Sequence, residues 1–353
     1  MPEFGVYVHI PFCRHRCDYC AFATWTDKDH MMESYAQAVM TDIERKAAEG
    51  MPVADTVFFG GGTPTRLDPH LLASIVKAIP VSVEPEITIE CNPDDVTTDM
   101  MHVYAAAGVN RISMGVQSMV PSVLQALNRT HDPANVEKAI AAVRQAGIAS
   151  INLDLIYGVH GESLEDWHNT IQAAIALQPT HISAYGLTVE AGTPLADDPS
   201  RYPNDDDQAD KYIMVDDALI SAGMHNYEIS NWSLPGHECR HNKVYWSQGN
   251  YTGFGCAAHS HLNGRRWWNM RTPERYIAAV QAHESVEAAD EVLDDFGRKK
   301  ESLELSLRTT EGVPVGVLDE EYLGDLVERS GDRVVLTRRG RLLANEVTLT
   351  LKP

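Results

Sequence analysis

Short apolar segments alternate with amphipathic helical patterns through the first two thirds of this 353-residue chain. Six of these segments are rich in β-branched residues and are followed by turn residues; they lie at 6–10, 56–60, 86–90, 111–116, 151–158 and 181–187. They are continuously apolar, which is typical of strands that are covered on both faces. The pattern therefore predicts a parallel α/β sheet, either open or closed into a barrel. Right-handed crossovers occur in both forms and do not decide between them.

Helical patterns separate or follow the predicted strands, at 134–146, 163–177 and 206–222. The second of these helices begins with Ser163 and Asp166, a variant of the capping box. Its apolar spacing predicts one buried face, formed by Leu164, Trp167, Ile171 and Ile175. We expect these helices to cover the sheet.

Chemically distinctive residues follow the carboxyl ends of the predicted strands, where parallel α/β sheets bind their ligands. Cysteines follow the first strand and the sequence GGGTPT ends the second, at 60–65. Glu90 ends the third strand and Gln117 follows the fourth. The sequence therefore predicts a ligand site at this end of the sheet.

The net charge of −21 disfavours a general nucleic-acid partner, because an acidic surface repels phosphate. The short basic segment at 337–341, TRRGR, is expected to be a solvated turn. No apolar segment approaches the roughly 18 residues of a membrane span, and the first residues lack a signal-peptide pattern. We therefore expect a cytoplasmic protein whose six cysteines are ligands or buried thiols.

The last third of the chain differs in composition from the rest. Tryptophans and histidines are concentrated between 232 and 290, and the charged segment 287–301 is expected to be a linker that enters a helix. Residues 298–350 then follow a winged-helix-like pattern of helices and a strand. We predict three parts: a barrel at 1–232, a connecting region at 233–290 and a small α+β domain at 291–353.

Three cysteines, Cys13, Cys17 and Cys20, have the spacing C-x3-C-x2-C directly after the first strand. Thiolates are soft ligands that suit iron–sulfur clusters and zinc. A closed zinc site needs a fourth ligand, for which His9 or His15 is available. A 4Fe–4S cluster held by three thiolates leaves one iron open for a further ligand. An open position is typical of reactive metal sites.

With Tyr19 before the last cysteine, this spacing resembles the signature of radical S-adenosylmethionine (SAM) enzymes. Further segments resemble the oxygen-independent coproporphyrinogen III oxidase group: YVHIPFC (7–13), FFGGGTPT (58–65), IECNPD (89–94), NRISMGVQS (110–118), LNR (127–129) and NLDLIYG (152–158). The resemblance implies an incomplete (β/α)6 radical-SAM barrel with a small C-terminal winged-helix-like α+β domain.

The resemblance also implies cofactors and their residues. The three cysteines would hold a 4Fe–4S cluster whose open iron binds SAM. The residues expected beside SAM are Tyr7, Tyr19, Gly61, Gly62, Thr63, Glu90, Gln117, Arg129 and Asp154.

Two features resemble the HemW subgroup of this family, the radical-SAM heme chaperones. The related oxidases carry a further cysteine two residues after the third, where this chain has Phe22. The sequence HNKVYW (241–246) matches the HNxxYW motif associated with heme binding in that subgroup. It implies His241 as an axial heme ligand, with Asn242, Tyr245 and Trp246 beside the porphyrin in an exposed site.

Other histidines and cysteines remain alternatives as heme ligands. The sequence GFGCAAHSH (253–261) departs from the family pattern and offers Cys256, His259 and His261. Cys239 is a further soft ligand close to His241, whereas His160 marks a different loop after the fifth strand.

The resemblance implies a heme chaperone that passes heme to apo-hemoproteins, with respiratory enzymes as the expected acceptors. The alternative is an oxygen-independent coproporphyrinogen III oxidase, against which Phe22 argues. Further expectations are an electron donor such as flavodoxin or ferredoxin if SAM is cleaved, a homodimer, and peripheral contact with the membrane during delivery.

Overall fold

The computed structural model describes residues 3–352. Six parallel strands form its centre: β1 (Phe4–Ile10), β2 (Ala54–Gly61), β3 (Val81–Cys91), β4 (Arg111–Gln117), β5 (Ser150–Tyr157) and β6 (His181–Gly186). Each pairs in parallel with the next along the chain. The predicted α/β architecture is confirmed, and all six predicted strands are present.

The helices are α1 (Met32–Ala48), α2 (Pro69–Ala78), α3 (Thr98–Ala106), α4 (Pro121–Ala126), α5 (Ala134–Gln145), α6 (Leu164–Ala176), α7 (Asp205–Ser221), α8 (Arg240–Trp246), α9 (Pro273–Gln281), α10 (Asp295–Leu307), α11 (Glu320–Leu323), α12 (Arg338–Leu342) and α13 (Ala344–Thr348). The three predicted helices correspond to α5, α6 and α7. The capping box is present, since Ser163 Oγ accepts from Asp166 N at 3.1 Å and Asp166 accepts from Ser163 N at 3.0 Å. The predicted burial of Leu164 is wrong, because this first helical residue is 43% exposed.

The sheet continues beyond the six strands at both edges. After β6 come β8 (Asn231–Ser233) and β7 (His225–Glu228), both in antiparallel pairs. At the other edge β9 (Asn250–Phe254) is parallel to β1, followed outward by β10 (His259–Leu262), β11 (Arg265–Asn269) and β12 (Glu287–Val292). Since β1 and β6 do not pair with each other, the barrel is incomplete, as the family resemblance implied.

The interpretation of 287–301 as a linker is wrong for its first part. Residues 287–292 form β12, the edge strand beside β11. Arg265 pairs with both Glu287 and Asp290. The charges that looked like linker composition are cross-strand partners, and a charged edge strand also resists pairing with other chains.

The C-terminal part contains α10–α13 and a three-stranded sheet of β13 (Val313–Pro314), β15 (Arg333–Leu336) and β14 (Val327–Ser330). It has its own apolar core, which includes Leu303, Leu307, Val313, Leu318, Leu323, Val334 and Val347. This agrees with the expected small α+β unit. The division of the chain at 232 and 290 stays a prediction.

The expectation that TRRGR is a solvated turn is wrong. The segment forms α12, in which Arg338 and Arg341 both pair with Asp216 of α7, at 2.6 and 3.2 Å. The Asp216 side chain is fully buried and also accepts from Trp232 Nε1 at 2.8 Å. The basic residues therefore hold the C-terminal part against the barrel. In the part of the chain that the structure describes, no helix has the length and apolar character needed to cross a membrane.

Candidate functional site

The three cysteines lie in the loop between β1 and α1, at the carboxyl end of the barrel strands. Cys17 is buried, Cys13 and Cys20 are half-buried, and all three are free thiols. Backbone hydrogen bonds hold the loop, from Cys13 N to Trp25 O at 3.0 Å and from Cys20 N to Cys17 O at 3.2 Å. The loop is therefore an ordered extension of β1 that presents sulfur atoms.

The donor set fits a cluster better than a closed zinc site. Within residues 3–352, no group of three or more His, Cys, Asp or Glu side chains converges so as to hold a metal ion. His9, an expected fourth zinc ligand, is buried, and its ring nitrogens contact Tyr7 Oη at 3.1 Å and the Ala23 carbonyl at 2.8 Å. Three soft thiols in one loop suit a 4Fe–4S cluster, whose irons take their thiolates from separate corners.

The two glycines after β2 allow a close approach to β1. A Cβ at Gly62 would lie 2.8 Å from the carbonyl oxygens of Ile10 and Phe12, and Gly61 has a φ of +105°. The resulting turn places Thr63 Oγ1 3.7 Å from Cys13 Sγ. The GGGTPT sequence thus brings the end of β2 against the cysteine loop.

A cavity of about 320 Å³ occupies the lumen of the barrel. Its lining is formed by Tyr7, Phe22, Phe58, Gly61, Glu90, Arg111, Ser113, Asn152, Asp154, Ser183, Tyr185, His241, Asn242 and Tyr245. Four of these residues are predicted SAM contacts and three belong to the HNKVYW motif. The structure therefore brings the two predicted sites to one cavity.

Two buried carboxyl groups, Glu90 and Asp154, line the cavity. Burial, together with the charge of Asp154, raises the pKa of Glu90 to about 8. Burial also raises the pKa of Asp154, although Ser113 Oγ and Asn152 Nδ2 donate to its carboxylate at 2.8 and 2.9 Å. These acceptors suit a ligand that carries ammonium or hydroxyl groups.

One buried cation faces these carboxyl groups. Arg111 is 3% exposed, and its Nε has no hydrogen-bond partner within residues 3–352. Burial disfavours its charge, but the surrounding acidic groups keep the pKa of Arg111 above its usual range.

The remaining predicted SAM residues lie beside the cysteine loop rather than along the cavity. Arg129 Nη1 is 3.6 Å from Cys17 Sγ, and its Nη2 donates to the Gly115 carbonyl at 2.7 Å. Gln117 ends β4 with a φ of +62°. Tyr19 packs against a small apolar cluster around Leu127. Tyr19, Thr63, Gln117 and Arg129 are thus at the rim of the site, close to where a cluster would be held.

The HNKVYW motif forms α8, and its histidine is fully buried. His241 Nδ1 lies 2.9 Å from Thr56 Oγ1, and Nε2 lies 2.8 Å from Tyr245 Oη. The ring stacks on Phe58, with centroids 5.4 Å apart. Burial and the nearby Arg111 charge lower the pKa of His241 to about 3, so the imidazole is neutral. The expectation of an exposed imidazole is wrong, since both nitrogens have partners.

A buried carboxylate holds the start of α8. Glu86 of β3 accepts from the backbone N–H groups of Arg240 and His241, both at 3.0 Å. Thr56, close to the start of β2, holds the His241 ring from the side. The motif therefore lies towards the amino-terminal ends of the barrel strands, whereas the cysteine loop lies at their carboxyl ends.

The alternative heme ligands lie outside the cavity. Cys256 is buried 3.5 Å from Tyr35 Oη. The two ring nitrogens of His261 contact the Gly249 carbonyl and the Gly264 N–H. His259 is exposed and stacks on Trp268, with centroids 5.7 Å apart. Of the three, only His259 presents an imidazole to solvent.

Cys239, two residues before His241, and Trp246, the last residue of the motif, both contact other groups of the protein. Cys239 is fully buried, with its Sγ 3.6 Å from Glu86 Oε1. Trp246 lies outside the cavity, under the guanidinium group of Arg308 at 4.9 Å. The Cys239 thiol is therefore engaged by the protein, and Trp246 is half-buried beside Arg308.

Sequence reasoning missed Phe58, Arg111, Asn152 and Ser183 as cavity residues. A signal was available, because polar residues recur at every second position of β4, β5 and β6. These pairs are Arg111 and Ser113, Asn152 and Asp154, and Ser183 and Tyr185. Alternate residues of a strand share one face, so a polar pair on an otherwise apolar strand indicates the lumen.

The fold and the three-cysteine loop define a protein of the radical SAM class, and the model of the Radical SAM superfamily matches residues 7–174. "Heme chaperone HemW" of Mycobacterium tuberculosis (strain CDC 1551 / Oshkosh) is 38% identical, over 99% of this chain and 94% of that protein. The protein of the same name from Escherichia coli (strain K12) is 33% identical, over 98% and 97%. The chain belongs to the HemW family.

Membership in the radical SAM superfamily implies a 4Fe–4S cluster and SAM. The fold is similar to that of coproporphyrinogen III oxidase (HemN) from Escherichia coli, with a TM-score of 0.85 over 99% of this chain and 90% of that one. At 22% identity this likeness concerns the fold alone.

Proposed function

We propose that this protein is a heme chaperone, which binds heme together with a 4Fe–4S cluster and SAM and transfers the heme to apo-hemoproteins. The observation that carries the proposal is that the HNKVYW helix lines the same cavity as Glu90 and Asp154. Relatives that match over nearly their full length are named heme chaperones, which supports the same function here.

Cys13, Cys17 and Cys20 would hold the cluster, which when bound supplies one open iron for SAM. Arg129 and Thr63 contribute charge and hydrogen bonds next to two of the three sulfur atoms. Hydrogen bonds to ligating sulfur are one of the means by which proteins set a cluster's reduction potential.

The residues of the cavity would hold SAM below the cluster. Glu90 and Asp154 offer acceptors for its ammonium and hydroxyl groups, and Gly61 lets a ligand approach the backbone. Tyr7 lies on the same wall. Tyr19, Gly62, Gln117 and Arg129 are proposed to shape the rim.

His241 would coordinate heme iron through Nε2 after the Tyr245 hydroxyl group has moved away. Because the imidazole is neutral, the tautomer with its proton on Nδ1 leaves Nε2 unprotonated and able to coordinate. Asn242 and Tyr245 line the cavity and would contact the porphyrin, with Trp246 behind them. Such a gated ligand suits a carrier, since the hydroxyl can return when the heme leaves.

The proposed partners follow from this function. Apo-hemoproteins, with respiratory enzymes first, are the acceptors. A flavodoxin or ferredoxin would reduce the cluster if SAM is cleaved. A cytoplasmic location with peripheral membrane contact and a homodimer complete the proposal.

One preparation tests the proposed function against that of a porphyrinogen oxidase. Anaerobically reconstituted protein is titrated with hemin, and the Soret band is followed in wild type, His241→Ala and the matched control His259→Ala. We expect saturable binding that is lost in His241→Ala and kept in His259→Ala. The same preparation is assayed with coproporphyrinogen III. Turnover to protoporphyrinogen IX without heme binding would overturn the proposal.

A further inference from the structure

A chain of buried hydrogen bonds joins the carboxylate of Asp154 to the residue that precedes α8. Asn152 Nδ2 donates to Asp154 at 2.9 Å, and Asn152 Oδ1 lies 2.6 Å from His181 Nδ1. His181 Nε2 lies 2.8 Å from Tyr227 Oη, which accepts from the backbone N–H of Cys239 at 3.2 Å. We call these five residues the relay.

The directions of these hydrogen bonds follow from the donors available. Because the Asn152 amide nitrogen donates to Asp154 and to Ser113 Oγ, its oxygen faces His181 and must accept. His181 therefore carries its proton on Nδ1, and Nε2 accepts from the Tyr227 hydroxyl. All donors along the relay thus point from α8 towards the Asp154 carboxylate.

Burial shields the relay from water. His181 and Cys239 are fully buried, Asn152 is 2% exposed and Tyr227 is 6% exposed. Burial and the charge of Arg111 hold the pKa of His181 well below its usual range, so the ring stays neutral. A member that lost its partner would leave a polar group unsatisfied in the interior, so a change at one end affects the next bond.

We propose that His181 and Tyr227 are positioning residues that couple SAM binding at Asp154 to the position of the heme-motif helix α8. The inference rests on the proposed function for the identity of the two ligands. A donor group of SAM on Asp154 competes with Asn152 for the carboxylate, and the shift passes through His181 and Tyr227 to the Cys239 N–H. By linkage, heme on α8 changes the affinity for SAM by the same factor.

Tyr227→Phe tests the relay, because it removes one hydroxyl and leaves the ring in place. Tyr212→Phe is the matched control, since Tyr212 is an equally buried tyrosine whose hydroxyl donates to the Ile229 carbonyl, outside the relay. Hemin affinity is measured with and without saturating SAM. We expect SAM to change it by about fivefold or more in wild type and Tyr212→Phe, and not in Tyr227→Phe. Equal coupling in wild type and Tyr227→Phe would overturn the inference.

A second readout needs no heme and separates the two proposals. Amide hydrogen exchange at 239–246 is measured in the cluster-loaded protein with and without SAM. We expect SAM to change exchange there in wild type but not in Tyr227→Phe, whether or not heme binds. If wild type binds no heme but shows this change, the proposed function fails and the relay stands. If SAM leaves exchange unchanged in wild type, the relay fails.

His181→Phe provides a second interruption should Tyr227→Phe not fold. It keeps a ring of similar size and removes both hydrogen bonds of the relay's central member. A folded His181→Phe protein that retains the SAM-dependent change in exchange would contradict the coupling.

Discussion

At the level of single residues, the proposed function makes the hydroxyl group of Tyr245 the group that must move before His241 can bind heme. It occupies His241 Nε2 at 2.8 Å, while Thr56 holds the other ring nitrogen. A neutral hydrogen bond of this kind contributes about 1 kcal/mol. Both ring nitrogens of His241 are therefore engaged, and Nε2 becomes available only when the Tyr245 hydroxyl group leaves it.

Tyr245→Phe is expected to increase hemin affinity by about fivefold, because Nε2 no longer has to exchange a hydrogen bond of about 1 kcal/mol for the iron. Titration with hemin, followed by the Soret band, measures this affinity in wild type and in the variant. Tyr251→Phe is the control, since the Tyr251 ring packs on Tyr245 at 4.7 Å between centroids. Weaker binding in Tyr245→Phe than in wild type would show that the hydroxyl assists heme binding rather than blocking it.

Cys17→Ala is expected to abolish cluster binding, because the remaining two thiols cannot hold three irons of the cluster. Iron and acid-labile sulfide are counted after anaerobic reconstitution. Cys91→Ala is the matched control. Cys91 is also buried and is the last residue of β3, at the same end of the barrel, but it lies outside the cysteine loop. An unchanged iron content in Cys17→Ala would sink the assignment of the three cysteines.

Glu90 makes the stability of the ligand-free protein depend on pH. Its folded pKa of about 8 exceeds the usual carboxyl value of 4.5, so the folded state binds the proton more tightly than the unfolded state. The stability linked to Glu90 is fully present below about pH 4.5 and is lost as the pH rises towards 8.

Glu90→Gln should therefore be more stable than wild type at pH 8.5, with the difference shrinking towards pH 5. A pKa unit corresponds to about 1.4 kcal/mol, so the gain is a few kcal/mol at most. Urea denaturation of the apo protein at the two pH values measures it. A difference that grows as the pH falls would contradict the raised pKa.

At the scale of elements, continuously apolar segments identified the six strands, and helical periodicity identified the helices that correspond to α5, α6 and α7. Their burial patterns are regular, and Ser163 with Asp166 marks the start of α6 in the sequence itself. The failures have a common cause, since β12 and α12 carry charges that find partners on distant elements. Arg265 and Asp216 lie far from those partners in sequence, so local composition could only indicate exposure.

Asp216→Asn is expected to loosen α12 from α7, because one buried carboxylate pairs with both Arg338 and Arg341. The cost is about 2–3 kcal/mol, less than for a fully buried pair because the arginines are partly exposed. Limited proteolysis should cut after the arginines of 338–341 first. The control is Asp325→Asn, whose partner Arg339 is exposed and whose loss should change little. Equal cleavage in both variants would rule out the clamp.

For the whole molecule, the arrangement of the two expected sites is the main result that the sequence did not predict. Motif order placed the SAM residues and the HNKVYW segment about a hundred residues apart, with no indication that they share a cavity. The packing of α8 against Thr56 and Glu86 brings the HNKVYW motif to the cavity that the SAM residues line. Spacing along the chain revealed the cysteine site, because its three residues lie in one loop. It could not reveal the relay, because the members of the relay come from four separate segments.

The proposed carrier function can be related to the positions of the two sites in the barrel. The cluster loop lies at one end of the barrel, and the neutral His241 lies towards the other. Under the proposed function, a heme held by His241 lies in the cavity that α8 lines, and movement of α8 would open it to an acceptor protein. The proposed function therefore predicts that heme leaves by direct handover and not by free dissociation.

Stopped-flow transfer of heme from the loaded protein to an apo-b-type respiratory cytochrome tests this claim most directly, with apomyoglobin as the passive acceptor. We predict that the transfer rate rises with the concentration of the apo-cytochrome and exceeds the rate to apomyoglobin. A single rate that is the same for both acceptors and independent of their concentration would contradict the account.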